Sequence, residues 1–125
     1  MTGAEWIEMS QNAASNGSAI YAIFLTIMSA YIVVAYMVGK ELNRSQLLLI
    51  NTFFLFSAGV SILLLLGACQ KHAMAFNQAA MKVNELQAYS EASVVIALVL
   101  LGVGNTFFML AGLKLMWDIR HPKAE

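Results

Sequence analysis

The chain has 125 residues, of which 60% are hydrophobic and only 11% charged, with no formal net charge. An ordinary soluble domain has about a quarter of its residues charged, and a chain this short has too little interior to hide so much apolar surface. Zero net charge gives no electrostatic reason to bind nucleic acid or an acidic substrate, and a single cysteine, Cys69, excludes an internal disulfide framework and a multi-thiolate metal site.

Residues 1–16 come first and mix Ala4, Trp6, Ile7, Met9 and Ala13 with Glu5, Glu8, Gln11 and Asn12. This pattern predicts a short interfacial helix, with Asn16-Gly17-Ser18 as a break before the first membrane span. The acidic charge and the lack of Lys or Arg before that span are unlike a cleaved signal peptide, so the segment is expected to be retained.

Three stretches then lack Asp, Glu, Lys and Arg: Ser18–Gly39, Ser45–Gln70 and Ala92–Leu113. Each reaches the roughly 20 residues that a helix needs to cross about 30 Å of hydrocarbon. In lipid the backbone polar groups must be satisfied within the segment, which makes these runs helices. They lack the short alternating pattern of membrane barrels. The expectation is an all-α integral membrane protein in one transmembrane domain, 1–125. Its three helices run up-down-up, with spans at about 18–39, 46–69 and 92–116.

The two links differ in kind. Gly39-Lys40-Glu41-Leu42-Asn43-Arg44-Ser45 is a tight turn: Gly39 stops the first helix, and Asn43 or Ser45 caps the second. Between Ala68 and Leu101 there is no Gly or Pro, so turn punctuation is missing. Ala73, Phe76, Ala80, Val83 and Leu86 recur at helical spacing instead, which predicts helix through most of the 71–91 link. Phe76, Met81 and Tyr89 on this link are the candidate partner-binding surface.

Basic residues set the orientation. Lys40, Arg44, Lys114, Arg120 and Lys123 fall on one side of the membrane, against Lys71 and Lys82 on the other. Positive charge concentrates in the cytoplasm, which predicts an outside N-terminus and a cytoplasmic C-terminus. Trp6 and Trp117 fall near opposite interfaces, as in an aromatic belt.

NTFF occurs twice in hydrocarbon, at Asn51–Phe54 and Asn105–Phe108, each followed by Ala-Gly (Ala58-Gly59 and Ala111-Gly112). The copies cross the bilayer in opposite directions, and the first span has no counterpart, so they are not halves of an inverted repeat. Their company is more telling. Ala97, Gly104 and Ala111 share a heptad stripe, flanked by Asn105 and Gly112. Asn51 and Ala58 are seven apart, as are Ala22 and Ser29, and Ser57 and Ser61 form a small-xxx-small pair. Small residues let helices approach closely in lipid, and interhelical bonds from Asn or Ser contribute about 0.6 kcal/mol on average and up to about 1.7. The expected helix-packing residues are Ala22, Ser29, Asn51, Ala58, Gly59, Ala97, Gly104, Asn105, Ala111 and Gly112.

Groups for chemistry are few. No acidic or basic residue lies inside the three charge-free runs, which argues against an ion-coupled carrier. No catalytic constellation, paired carboxylates or phosphate-cradling glycine loop is present, and no cofactor is called for. Cys69, His72, Met74 and Met81 are soft metal ligands, but their spacing matches no metal motif. The favoured function is therefore association rather than catalysis, in a membrane lipid environment: a homo-oligomer or an accessory subunit of a larger membrane complex. The alternative is an oligomeric pore lined by Asn51, Thr52, Ser57, Ser61 or Asn105.

The stretch Tyr31-Ile32-Val33-Val34-Ala35-Tyr36-Met37-Val38-Gly39-Lys40-Glu41-Leu42-Asn43-Arg44-Ser45-Gln46 resembles the first-link region of small uncharacterised three-span bacterial inner-membrane proteins, in its aromatic, Gly, basic and Gln positions. The resemblance covers the first two spans. It implies an inner-membrane location and carries no activity with it.

Overall fold

A computed structural model describes residues 1–124, which form three helices and, among those residues, no strand. They are α1, Gly3–Val38; α2, Arg44–Lys82; and α3, Glu91–Arg120. All three are long and apolar enough to cross a membrane. At about 1.5 Å per residue, the 36 residues of α1 and the 39 of α2 measure roughly 54 and 58 Å. Both exceed the roughly 30 Å of hydrocarbon.

Each helix begins on a side-chain cap. Thr2 Oγ1 accepts from Glu5 N–H at 3.2 Å, and Glu5 Oε2 accepts from Thr2 N–H at 2.6 Å. Asn43 and Gln46 make the same reciprocal pair at the start of α2, at 2.9 and 3.0 Å. Ser90 Oγ accepts from Ser93 N–H at 3.1 Å to open α3. Each box satisfies N–H groups that have no partner within the helix.

The expected break at Asn16-Gly17-Ser18 is absent, and α1 runs unbroken from Gly3. Gly17 has right-handed backbone geometry and faces α2, where a Cβ would lie 3.5 Å from Ala68 Cβ. Ser18 Oγ donates to Ala14 O at 3.2 Å. The packing of this segment along α2 outweighs the cost of about 1 kcal/mol for one helical glycine, so the helix that starts at Gly3 continues into the first charge-free run.

The turn after α1 also differs in detail. Gly39 caps with φ −54° and ψ −38°, so the termination does not use a left-handed glycine. What requires glycine is space: a Cβ on Gly39 would run into the Ala35 carbonyl oxygen and come within 3.2 Å of Met116 Sδ.

α2 continues to Lys82, and Val83–Ser90 is not helical. Val83 takes an extended conformation, φ −124° and ψ 108°, so the apolar positions Val83 and Leu86 fall beyond the helix. The chain then doubles back. Asn77 pins the returning strand with both ends of its amide: Tyr89 N–H donates to Oδ1 at 2.8 Å, and Nδ2 donates to Tyr89 O at 3.3 Å. α3 therefore starts level with Asn77, and the last turn of α2 overhangs it.

Contacts between α1 and α2 run in opposite order along the two helices: Gly3 with Val83, Ser10 with His72, Gly17 with Ala68, Tyr31 with Asn51. The residues of α2 facing α1 keep a 4-3 spacing over most of the helix: Phe54, Ala58, Ser61, Leu65, Ala68, His72, Ala75, Ala79. All are buried except the half-buried His72. That is a heptad seam. Phe24, Tyr31, Ala35, Phe54, Ala58, Ile62 and Met116 form the central core, with the Tyr31 and Phe54 rings stacked at 3.9 Å. α3 lies against this pair along a narrower strip, burying Asn105, Gly112 and Met116.

Candidate functional site

No single cleft dominates the molecule, and the candidate features are helix faces and the two ends of the bundle. Of the expected packing residues, Ala58 and Gly112 are buried. A Cβ on Gly112 would stand 3.4 Å from both Met28 Cε and Phe54 Cζ and 3.6 Å from Tyr31 Cδ1, so this glycine sets the approach of α3 to both other helices. Asn51, half-buried, accepts from Tyr31 Oη at 2.7 Å and links α2 to α1.

Asn105 is buried, but its Nδ2 donates to Leu101 O in its own helix at 2.7 Å. The amide is satisfied four residues back and does not bond across to another helix. The buried stripe of α3 is that of Asn105 and Gly112. Ala97, Gly104 and Ala111 are rotated about 100° away by one residue of helix. Ala97 is half-buried and Ala111 exposed, and nothing lies within 4 Å of a Cβ built on Gly104. A Cβ on Gly59 is equally free. On α1, Ala22 and Ser29 are exposed, and Ser29 Oγ donates to Leu25 O at 2.8 Å. Inside one chain these two meet no helix, because the face of α1 towards α2 carries Gly17, Phe24 and Tyr31 instead.

The polar residues considered for a pore are mostly engaged. Ser61 Oγ donates to Ser57 O at 2.8 Å, Asn51 serves Tyr31 and Asn105 serves its own backbone. Thr52 is exposed.

At the end holding the N-terminus, the Phe76 and Tyr89 rings lie 4.7 Å apart, with His72 at 6.2 and 6.0 Å from them. Phe76 is half-buried, while Met81 and Tyr89 are exposed, so of the candidate partner surface Met81 and the rim of Tyr89 stand free. Beneath them is a contact that sequence spacing did not show. His72 Nδ1 lies 3.0 Å from Ser10 O and 2.9 Å from Ser10 Oγ, and Ser10 Oγ lies 3.3 Å from His72 O. Which of Nδ1 and the Ser10 hydroxyl donates to the other is set by the imidazole tautomer, and in either tautomer the two side chains bond across the α1–α2 contact. The pair is a clamp between α1 and α2. Its signal was the 4-3 register of α2, followed past the end of the span. Among the described residues no group of three His, Cys, Asp or Glu side chains converges on a metal position.

At the opposite end, Arg120 Nη1 donates to Gly39 O at 2.6 Å and to Leu42 O at 2.9 Å, tying the end of α3 to the α1–α2 turn. Trp117 and His121 stack at 4.1 Å, and Lys114 pairs with Asp118 at 2.6 Å on the exposed face.

No protein family, curated protein or solved structure matches the chain.

Proposed function

We propose that this is a non-catalytic integral membrane protein of the inner membrane that works by association, as a homo-oligomer or as an accessory subunit of a larger membrane complex. Its three helices cross up-down-up, with the N-terminus outside and the Lys40–Arg44 turn and the C-terminus in the cytoplasm. Helical α2 continues past the bilayer on the outer side, where Met81 and Tyr89 are offered to a partner.

The observation that carries this reading is the uncovered small-residue face of α3. The helix buries one narrow strip against its own chain and leaves Gly104 open beside the exposed Ala111. In lipid, close approach at small residues is the principal means of helix association. Gly104 is a clean probe because a Cβ there meets nothing within 4 Å in its own chain. Gly104→Leu is expected to leave the stability of the single chain intact and to weaken assembly by about 1 kcal/mol or more. The measurement is stoichiometry of the purified full chain in mild detergent and in lipid nanodiscs. A wild type that is monomeric and captures no partner, or a Gly104→Leu chain that assembles unchanged, would refute this face as the interface. Unchanged assembly with ion flux altered by Thr52→Leu would favour the pore.

A further inference from the structure

A groove runs between α2 and α3 at the end of the bundle where Arg120 lies. Leu55, Leu113, Met116 and Trp117 form its walls, and Arg120 and His121 lie at its polar end. Its volume is about 290 Å³, more room than a lone ion fills.

Arg120 is already oriented. Its Nη1 hydrogens go to the carbonyls of Gly39 and Leu42, which fixes the guanidinium plane and leaves the Nε–H and Nη2 edge. That edge is the fork which binds phosphate or carboxylate through two parallel bonds. Among the described residues no carboxylate lies within 4.0 Å of it, since the one ion pair is Lys114 with Asp118. His121 Nδ1 lies 3.1 Å from Trp117 O, so that nitrogen donates to the backbone and Nε2 is left over. By sequence this end holds five Lys or Arg (Lys40, Arg44, Lys114, Arg120 and Lys123) against three Asp or Glu (Glu41, Asp118 and Glu125), so the surroundings are basic. A half-buried arginine lining an apolar groove, on helices of membrane-spanning length, matches the polarity of a phospholipid: head at the interface, acyl chain inward.

We infer that this groove is a binding site for an anionic phospholipid, whose phosphate is held by the Nε/Nη2 edge of Arg120 beside His121 while one acyl chain lies along Leu55 and Leu113. The inference requires the chain to sit in a bilayer but not to associate with a partner, so a failure of the association reading leaves it standing.

The test is native mass spectrometry of the full chain released from mixed micelles of phosphatidylglycerol or phosphatidylcholine with identical acyl chains. Wild type is expected to retain the anionic lipid about fivefold more than the zwitterionic one, the factor expected of one basic residue at a membrane surface. Arg120→Gln is expected to bring the ratio close to one. Arg120 also holds the turn, so circular dichroism checks that this variant folds. Leu55→Trp, at a position exposed in the single chain, fills the groove independently and is expected to lower retention of both lipids. Equal retention of the two lipids by wild type overturns the inference. So does wild-type retention by Leu55→Trp, or displacement of the anionic lipid by soluble glycerol phosphate, which would make this a site for free phosphate.

Discussion

Gly112 and Gly104 lie two turns apart on α3 and have opposite roles. The first touches three side chains of the other helices at van der Waals distance, and the second touches none. Gly112→Leu is therefore expected to push α3 off the α1–α2 pair and to cost about 1–3 kcal/mol, the usual range for overpacking. Thermal unfolding in detergent would read this, and a Gly112→Leu chain as stable as wild type would show that α3 is not seated by this contact. Tyr31→Phe tests the other side of the core. It removes the bond to Asn51 Oδ1 and leaves that oxygen in a half-buried site, for an expected loss of about 0.6–1.7 kcal/mol. Sequence spacing named Gly112 and Asn51 because their seven-residue partners, Asn105 and Ala58, made two stripes visible. It did not separate Asn105's own-helix bond from an interhelical one, since an Asn in hydrocarbon meets either partner at the same position along the chain. Nor did it find Arg120 as a turn clamp: the carbonyls it binds are more than seventy residues away, and a C-terminal arginine is equally at home on a solvated helix end.

At the scale of elements, the three charge-free runs each fall on one of the three long helices, because an apolar run of about 20 residues leaves the backbone no better partner than its own helix. The ends of the helices were less legible. α1 ignores the Asn16-Gly17-Ser18 signal because its first turns have α2 to pack on. α2 stops at Lys82, although the apolar period runs on through Val83 and Leu86, because the chain must reverse there to bring Tyr89 back to Asn77. The heptad register of α2 is visible in the sequence from Phe54 to Ala79 once it is followed across the edge of the span, where its residues change from Phe, Ala and Leu to His and Ala. The stop at Lys82 has a direct consequence. Glu85 sits in the non-helical link, whereas Glu5 and Glu8 lie within the α1–α2 pair. A glutamate-specific protease is expected to cut at Glu85 before Glu5 or Glu8, and early cleavage at Glu5 or Glu8 would mean that the first turns of α1 are not held.

For the whole molecule, the two ends of the bundle have different characters. The end with the N-terminus carries the aromatic cluster of Phe76 and Tyr89 and the overhang of α1 and α2. The other end carries the short turn, Arg120 and most of the basic residues. With the turn in the cytoplasm, as proposed, Asn43→Cys should react with an impermeant thiol reagent only after the cells are opened. A cysteine at Asn84, in the long link, should react in intact cells. The native Cys69 is replaced by alanine in both. Labelling of Asn43→Cys from outside would reverse the proposed orientation.

The unbroken run of α1 from Gly3 to Val38 has a mechanical consequence. With no hinge at Asn16-Gly17-Ser18, and with Ser10 bonded to His72, the first turns of α1 and the rest of the α1–α2 hairpin move as one lever. A tilt of about 10° imposed on a rod about 54 Å long displaces its far end by about 9 Å. The far end here is the Gly39–Asn43 turn, held to α3 by the Nη1 bonds of Arg120. Force applied to the N-terminal tip thus arrives at the other end of the bundle, at the contact where Arg120 and Met116 of α3 meet the α1–α2 turn.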